Sequence, residues 1–508
     1  MSQKSSGNSL SKGKLGVAGI VFFVVAAAAP LLGMTGAVPV AMFLGNGAGA
    51  SGTYLAVGLI LALFAVGYSA MSQKVTNTGA FFAYVGRGLG RKAGVASAFA
   101  SIVGYVTIQL AIYGFFGGVM ALTFAGTLPW WGWAIVAWAA ATALSLFSVD
   151  IGAKVLGVLM IVEVAVLVIT AVAILATNAG SIDLAAAFSP DAILTGGVTG
   201  TAGIAIAFAF ASFIGFEATA IYGEESKDPK TSVPKATYWA IGLITVLFAV
   251  VSLAMSTAMA SYNNPDAPEG LQTGLFGYIA QWGALDPAIG LTNPAGVLQH
   301  MADVSLGGTW MSQIMGYLVL TSCFAGILAF QNAISRYFFA LGRGGVLPAS
   351  YGRTNSSGAP ARGVILTSAL ALAVMVAFAA AGLDGIGNLF TWMSAITAVA
   401  IMFVEILVSI AVIVYLRKDG TVHIWKSTIA PLLSAIGLAA GLYLLMSRFN
   451  LLGNLAAEGV DPTLGESAWQ LSPLGWVFVL SPFVAAAIGF AVASAAKNKN
   501  ELGADILS

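Results

Sequence analysis

The sequence predicts an all-α integral membrane protein with twelve transmembrane helices. Three observations predict it: the composition, the length of the apolar runs and the placement of charge. Of 508 residues, 59% are hydrophobic and 8% are charged, with a mean hydropathy of +0.92. A soluble domain is about a quarter charged, so this chain cannot build a polar surface and needs lipid around its surplus apolar side chains. A membrane-crossing helix takes roughly 20 apolar residues. Such runs occur at 16–44, 53–72, 94–125, 129–148, 153–177, 199–222, 236–259, 310–340, 363–382, 387–416, 427–447 and 472–496. They are long and rich in Ala, Leu and Gly, unlike the short alternating strands of a barrel. The third, eighth and tenth are long enough to tilt.

Charge sets the orientation. With the N-terminus in the cytoplasm, all but Arg448 of the 21 Lys and Arg residues fall in inside segments, the bias that fixes topology. Residues 1–14 and 497–508 are then cytoplasmic tails, 15–416 a core of ten helices, and 417–496 carries the last two. The lysines and AAAA (26–29) at the start imitate a signal peptide, but cleavage would leave eleven spans and scramble the charge bias. The longest non-membrane stretch, 260–309, lies outside, and GLQTGLFGYIAQW within it predicts a short surface helix. Net charge is +1 without basic runs, which excludes a nucleic-acid partner. One cysteine, Cys323, has no partner within the chain, and two histidines, His300 and His423, are too few for a histidine metal site.

Two runs are interrupted in matching places. The first reads AAAAPLLGMTGAVPVA (26–41), where Pro30, Gly33, Gly36 and Pro39 disfavour an unbroken helix. Five spans later, FAFASFIGFEATAIYGEE (208–225) places Ser212, Gly215 and Glu217 within an apolar run. Non-helical backbone at membrane depth is tolerated where it lines a cavity, and transporters built from inverted repeats break a helix at the same position in each half. The pattern predicts a 5+5 inverted repeat, with broken helices 1 and 6 and with helices 11 and 12 peripheral.

GFEATAIYGEESKDPKTSVPKATY (215–238) resembles the sixth helix and following loop of the amino acid–polyamine–organocation superfamily: an aromatic-acid step, a Glu-Glu pair, a D/N-P step and a second proline. LAFQNAISRYFFALGRGGVLP (328–348) is similar to the end of that family's eighth helix. Where many members carry a G-S/A-G-I type of sequence at the first break, this chain has GMTGAVP (33–39). The resemblance implies an amino acid permease of the cytoplasmic membrane, multi-pass, with both termini inside, monomeric or homodimeric, and no enzyme. Its substrate would be an amino acid or a related amine.

Three acids lie within spans: Glu163, Glu217 and Glu405. A charged acid at mid-bilayer costs about 3 kcal/mol on insertion scales, so such residues face a cavity or a partner. No Lys or Arg lies at comparable depth. An acid so placed can take a proton from one side and release it to the other. Glu217 matches an acidic position in the sixth helix of related permeases. Glu163 falls where several proton-coupled members have a lysine, at the place of sodium in sodium-coupled relatives, so the sign of the charge differs here. Both are candidates for proton coupling or gating, while Glu405 reads as a hydrogen-bonded acid fixing helix packing. Hard cations want oxygen ligands, and Thr321 and Ser322 offer hydroxyls for a sodium site beside Glu163. Proton symport is the favoured expectation, with sodium symport and uncoupled exchange of amino acids or polyamines as alternatives. No cofactor is expected.

For the substrate, the outer half of helix 1 is expected to begin around Thr35–Gly36, within Gly33, Met34, Thr35 and Gly36. Its N–H groups favour a carboxylate. Released carbonyls around Phe210, Ala211 and Ile214 would accept from an ammonium group. Gln109 and Tyr113, four apart on one face of helix 3, add candidate polar contacts. Phe213, Phe216 and Trp392 are candidate walls or gates, and Ala211, at a place where some members of the resembled family have a large aromatic, implies a roomier pocket or a different gate. GAGASG (47–52) matches a dinucleotide fingerprint but joins two membrane helices and follows no strand, so it is a turn.

Overall fold

Apolar runs in lipid become helices because the backbone there has no other hydrogen-bond partner. A computed structural model of the chain describes residues 16–75, 81–147, 150–221, 226–287, 289–453 and 455–495. The tails at 1–14 and 497–508 lie outside the described residues, as do Glu224 and Glu225 of the Glu-Glu pair. The helices are α1 (Val17–Ala28), α2 (Ala50–Ser72), α3 (Phe81–Leu89), α4 (Arg91–Thr123), α5 (Trp130–Ser145), α6 (Asp150–Thr177) and α7 (Ala202–Phe213). They continue with α8 (Pro229–Met259), α9 (Gly274–Trp282), α10 (Ala295–Leu306), α11 (Trp310–Arg343) and α12 (Ala361–Ala380). The chain ends with α13 (Thr391–Asp419), α14 (Ala430–Ser447) and α15 (Pro473–Ala495).

Among the described residues, 10 helical stretches are long and apolar enough to cross a membrane. One of them, Pro30–Ser72, contains a non-helical Gly45 (φ −105°, ψ −116°) followed by Gly47 at φ +57°. Helix α5 has 16 residues, about 24 Å at ~1.5 Å per residue and so short of a bilayer core of about 30 Å. The stretch 260–309 holds two helices rather than one. A two-stranded antiparallel pair, Leu285–Asp286 with Gly290–Leu291, connects α9 to α10. Large apolar side chains such as Val158, Val246, Tyr317 and Val484 are exposed on the outer helix faces.

The first interruption lies earlier than expected. Ala29 is left-handed (φ 44°, ψ 67°), and a helix restarts at Pro30, five residues before Thr35. The cause is local: a residue before proline is pushed out of the α region, and Pro30 has no N–H to return to Ala26. Gly33–Ala37 and Ala41–Asn46 are wide π turns that carry Pro39 without unwinding. In α7, by contrast, Ile214 leaves the helix (ψ 132°) and Gly215 takes φ +120°. Helix resumes only at Ala218–Ile221.

Hydrogen bonds sort the helices into two groups. Gln109 of α4 donates to Gln331 of α11 (2.6 Å), and Gln331 donates to Ser368 of α12 (2.8 Å). Ser368 also takes Trp138 Nε1 on its carbonyl (2.8 Å) and pairs with Thr142, both from α5. A second set joins the broken segments to α2 and α8. Tyr54 pairs with Ser212 (3.1 Å), Tyr68 donates to the Glu217 carbonyl (2.7 Å), and Thr219 pairs with Thr237 (2.8 Å).

Candidate functional site

The two interruptions touch. Gly215 lies so close to the end of α1 that a methyl there would come within 2.8 Å of Ala27 Cβ and 3.2 Å of the Ala28 nitrogen. A Cβ on Gly33 would likewise come within 3.4 Å of Ser212 Cβ. Between them is a cavity of about 30 Å³, lined on one side by Ala27–Ala29, Leu32 and Gly33, and on the other by Ala211, Ser212 and Ile214. Ile108 and Ile112 of α4, Phe330 of α11, and Phe390 and Ser394 close it. No charged side chain lines this space. About 10–15 Å³ accommodates one water, so an organic solute requires the walls to move apart.

The backbone polarity of the cavity follows from the breaks. Leu31 and Leu32 fall in the first turn of the helix that restarts at Pro30, where N–H groups lack intrahelical partners and the dipole is positive. Opposite them α7 ends. Ile214 N–H turns to the Ala211 carbonyl (3.4 Å), so the Phe210 carbonyl loses its i+4 donor. A donor-rich and an acceptor-rich terminus thus face one another across an otherwise apolar space. That arrangement can hold a carboxylate and an ammonium separated by one carbon.

Of the residues predicted around the first break, Gly33 lines the cavity while Met34, Thr35 and Gly36 do not. Thr35 donates to the Leu31 carbonyl (2.6 Å), and Gly36 abuts the Phe115 ring. From the second break, Ala211 and Ile214 line the space, but Phe210 lies near Gly441 of α14 and Phe213 packs edge-on against Phe248 (5.6 Å). Gln109 and Tyr113 do not line it. Their neighbours Ile108 and Ile112 do, because the polar pair is rotated toward the seam with α11, where Gln109 meets Gln331. Phe216 packs on Phe64 (5.9 Å). Trp392 donates to the Gly453 carbonyl (3.1 Å) between Phe378 and Phe478, away from the cavity. The expected roominess at Ala211 is taken up by Phe390 and Phe330. Phe330 was legible within LAFQNAISRY, whereas Ile108 and Ile112 carried no signal beyond helical periodicity.

Glu217 sits inside the second break, fully buried. Its Oε2 accepts the Gly215 N–H (2.9 Å), and the Tyr105 side chain of α4 faces its carboxyl. Glu163 of α6 is 4% exposed and is faced by Ser322 of α11. Thr321 points elsewhere, donating to the Leu318 carbonyl (2.9 Å) of its own helix. Helices α1, α6 and α11 pack against one another. Among the described residues, no group of three or more His, Cys, Asp or Glu is arranged for a metal ion.

A family model described as amino acid permease matches residues 23–494. The chain belongs to the amino acid permease family. That membership makes it a multi-pass membrane protein of the permease class, not an enzyme. It is similar to the branched-chain amino acid permease BcaP of Lactococcus lactis, with 26% identity over 242 residues, 47% of this chain and 44% of the relative. It is also similar to a D-serine/D-alanine/glycine transporter of Escherichia coli, 22% identical over 272 residues, 53% of this chain and 50% of that one. The chain spans about half the length of the curated relatives it matches. Among solved structures, a manganese transporter of Eremococcus coleocola superposes over 97% of this chain and 99% of its own, with TM-score 0.57 at 12% identity. A Na⁺-coupled sialic acid symporter gives TM-score 0.51 over 85% of this permease and 89% of its own chain, again at 12% identity. At such identity these two show a shared transporter fold and nothing of the solute.

Proposed function

We propose that this permease is a secondary active transporter that imports neutral amino acids across the cytoplasmic membrane by alternating access, with a proton as the coupled ion. The observation that carries the reading is the contact of the two helix breaks around one cavity with a donor-rich and an acceptor-rich end. A zwitterionic backbone fits those ends, and the apolar walls at Ile108, Ile112, Phe330 and Phe390 fit an uncharged side chain. Amino acids are also what the curated relatives are named for.

In this reading Pro30–Ser72 makes two passes that turn at Gly45–Gly49, α1 completes the first pass, and α5 is a short one. That gives twelve spans, in two inverted halves of five with α14 and α15 outside them and both termini inside. The hydrogen bonds supply the moving parts: α2, α8 and the broken segments form one tied group, and α4, α5, α11 and α12 another. Glu217 links charge to shape. A carboxylate accepts the Gly215 N–H more strongly than a neutral acid does, so proton uptake loosens the break. Proton coupling is favoured over sodium because the Thr321 hydroxyl is committed to its own helix.

Purified protein in liposomes, given a panel of labelled L-amino acids under imposed pH or sodium gradients, tests the proposal. Accumulation of L-leucine driven by an inward pH gradient is expected, and Glu217→Gln should abolish or uncouple it while leaving expression intact. Wild-type pH dependence in that variant refutes the role of Glu217. A wild-type protein that exchanges none of the panel refutes the reading as a whole.

A further inference from the structure

An apolar groove of about 690 Å³ runs between α6 and α8, a volume within the range of small-molecule sites. Val164, Val168 and Val172 of α6 form one wall, and Leu243, Val246 and Val250 of α8 the other, with Tyr238 and Trp239 at one end. Of the lining side chains only Tyr238 and Trp239 carry polar atoms, so the groove suits hydrocarbon rather than a water-soluble solute. Its walls are bare: Val172 is 60% exposed, Val246 64% and Trp239 70%, the highest of any tryptophan among the described residues. From Tyr238 to Val251 the groove follows α8 for about 20 Å at ~1.5 Å per residue, against about 15 Å of hydrocarbon in one leaflet. A single lipid tail therefore has room to lie along it.

Charge marks one end of this groove. Lys235 stands three and four residues before Tyr238 and Trp239, on the same face of α8, and is exposed. Lys227 and Lys230 are exposed just before it, while the carboxylate of Asp228 accepts the Thr231 hydroxyl (2.6 Å). A cation one turn beyond an interfacial Tyr–Trp pair is the arrangement that meets a phosphate at the level of the headgroups. A second copy of the chain fits this face poorly. Docked about an axis normal to the membrane, it would set Lys235 against its own like at the same depth. The groove also backs the helix that holds both breaks. Thr237, next to Tyr238, pairs with Thr219 beyond the second break, and Phe248, on the other face of α8, would meet a Cβ on Gly33 at 3.3 Å.

We propose that the groove between α6 and α8 is a binding site for an anionic phospholipid. One acyl chain lies along the valine walls, the phosphate meets the Lys235 ammonium, and the Trp239 ring covers the junction of tail and headgroup with its N–H free to donate to an ester or phosphate oxygen. In the topology proposed above this is the cytoplasmic leaflet. The bound lipid fills the seam between α6 and α8 and so braces the outer face of the helix against which the two breaks are packed.

The test is photolabelling of the full chain in phosphatidylcholine vesicles by phosphatidylglycerol with a diazirine in its acyl chain, the labelled peptides being mapped by mass spectrometry. Label is expected on residues 164–172 and 238–251, displaced by unlabelled phosphatidylglycerol in preference to phosphatidylcholine. A lysine near anionic headgroups supports about a fivefold preference, which Lys235→Gln should remove and Lys235→Arg should keep. Val246→Trp, which fills the groove from an exposed wall, should lose the label on residues 164–172. In detergent, phosphatidylglycerol should raise the melting temperature of wild type more than that of Lys235→Gln, since a ligand of the folded state stabilises it. Equal displacement by the two lipids, or label spread evenly over helices such as α12 and α15, shows bulk lipid only and overturns the site. An equal rise in melting temperature for wild type and Lys235→Gln overturns the headgroup contact and the site with it. Cross-links joining two chains through this face assign the groove to a second copy and overturn the lipid as well.

Discussion

Replacing Gly215 by alanine probes the contact on which the site is built. The residue has φ +120°, a conformation L side chains rarely adopt, and the added methyl would come within 2.8 Å of Ala27 Cβ with backbone atoms of Ala27 and Ala28 at 3.2 Å. Backbone strain of this kind costs about 1–3 kcal/mol. The neighbours on the far side are main chain and a Cβ fixed to it, so the first break has to move rather than a flexible side chain. If transport needs the two breaks in contact, about 1–3 kcal/mol lowers the population of the competent geometry roughly 5–150-fold. The assay is L-leucine counterflow in proteoliposomes, set beside thermal unfolding of the same preparation. Gly242→Ala is the control, since nothing lies within 4 Å of a Cβ there and helical alanine is preferred to glycine. A Gly215→Ala protein that matches wild type in both rate and melting temperature would refute the reasoning.

Other expectations concern coupling, stability and the outer cap. Glu163→Gln should weaken pH-driven accumulation yet spare exchange, and unchanged accumulation removes Glu163 from coupling. Arg448, 1% exposed, donates to the carbonyls of Leu464 (2.7 Å) and Pro462 (2.6 Å) and to Ser467 Oγ (3.2 Å). A hydrogen bond to a charged group is worth roughly 1.5–3 kcal/mol. Arg448→Ala should therefore lower the melting temperature, and Arg448→Lys should recover only part, because an ammonium cannot reproduce the fork. Equal melting temperatures for all three proteins would show the clamp to be idle. His300 of α10 stacks on Trp282 (3.4 Å) and meets the Tyr278 hydroxyl through Nδ1 (2.5 Å), and burial holds it below its ordinary value. The unfolded chain then binds a proton more readily, so His300 destabilises the cap as pH falls through about 6.5 toward its lower folded value. His300→Phe should flatten the acid limb of the melting-temperature profile, and an unchanged limb excludes the histidine.

Much of this permease is determined by local sequence. Twenty-residue apolar runs in a chain that is 8% charged admit helices in lipid and little else. Gly215 beside Glu217 marks a break, because glycine alone supplies that φ and the acid can cap the freed N–H. The packed fold decided what a one-dimensional pattern cannot hold. Proline at 30 rather than glycine at 33 placed the first break, since the wide turns at 33–37 and 41–46 absorb Pro39. Rotation of α4 sent Gln109 to Gln331 and turned Ile108 and Ile112 to the cavity, because helical phase is fixed by partners more than 200 residues away.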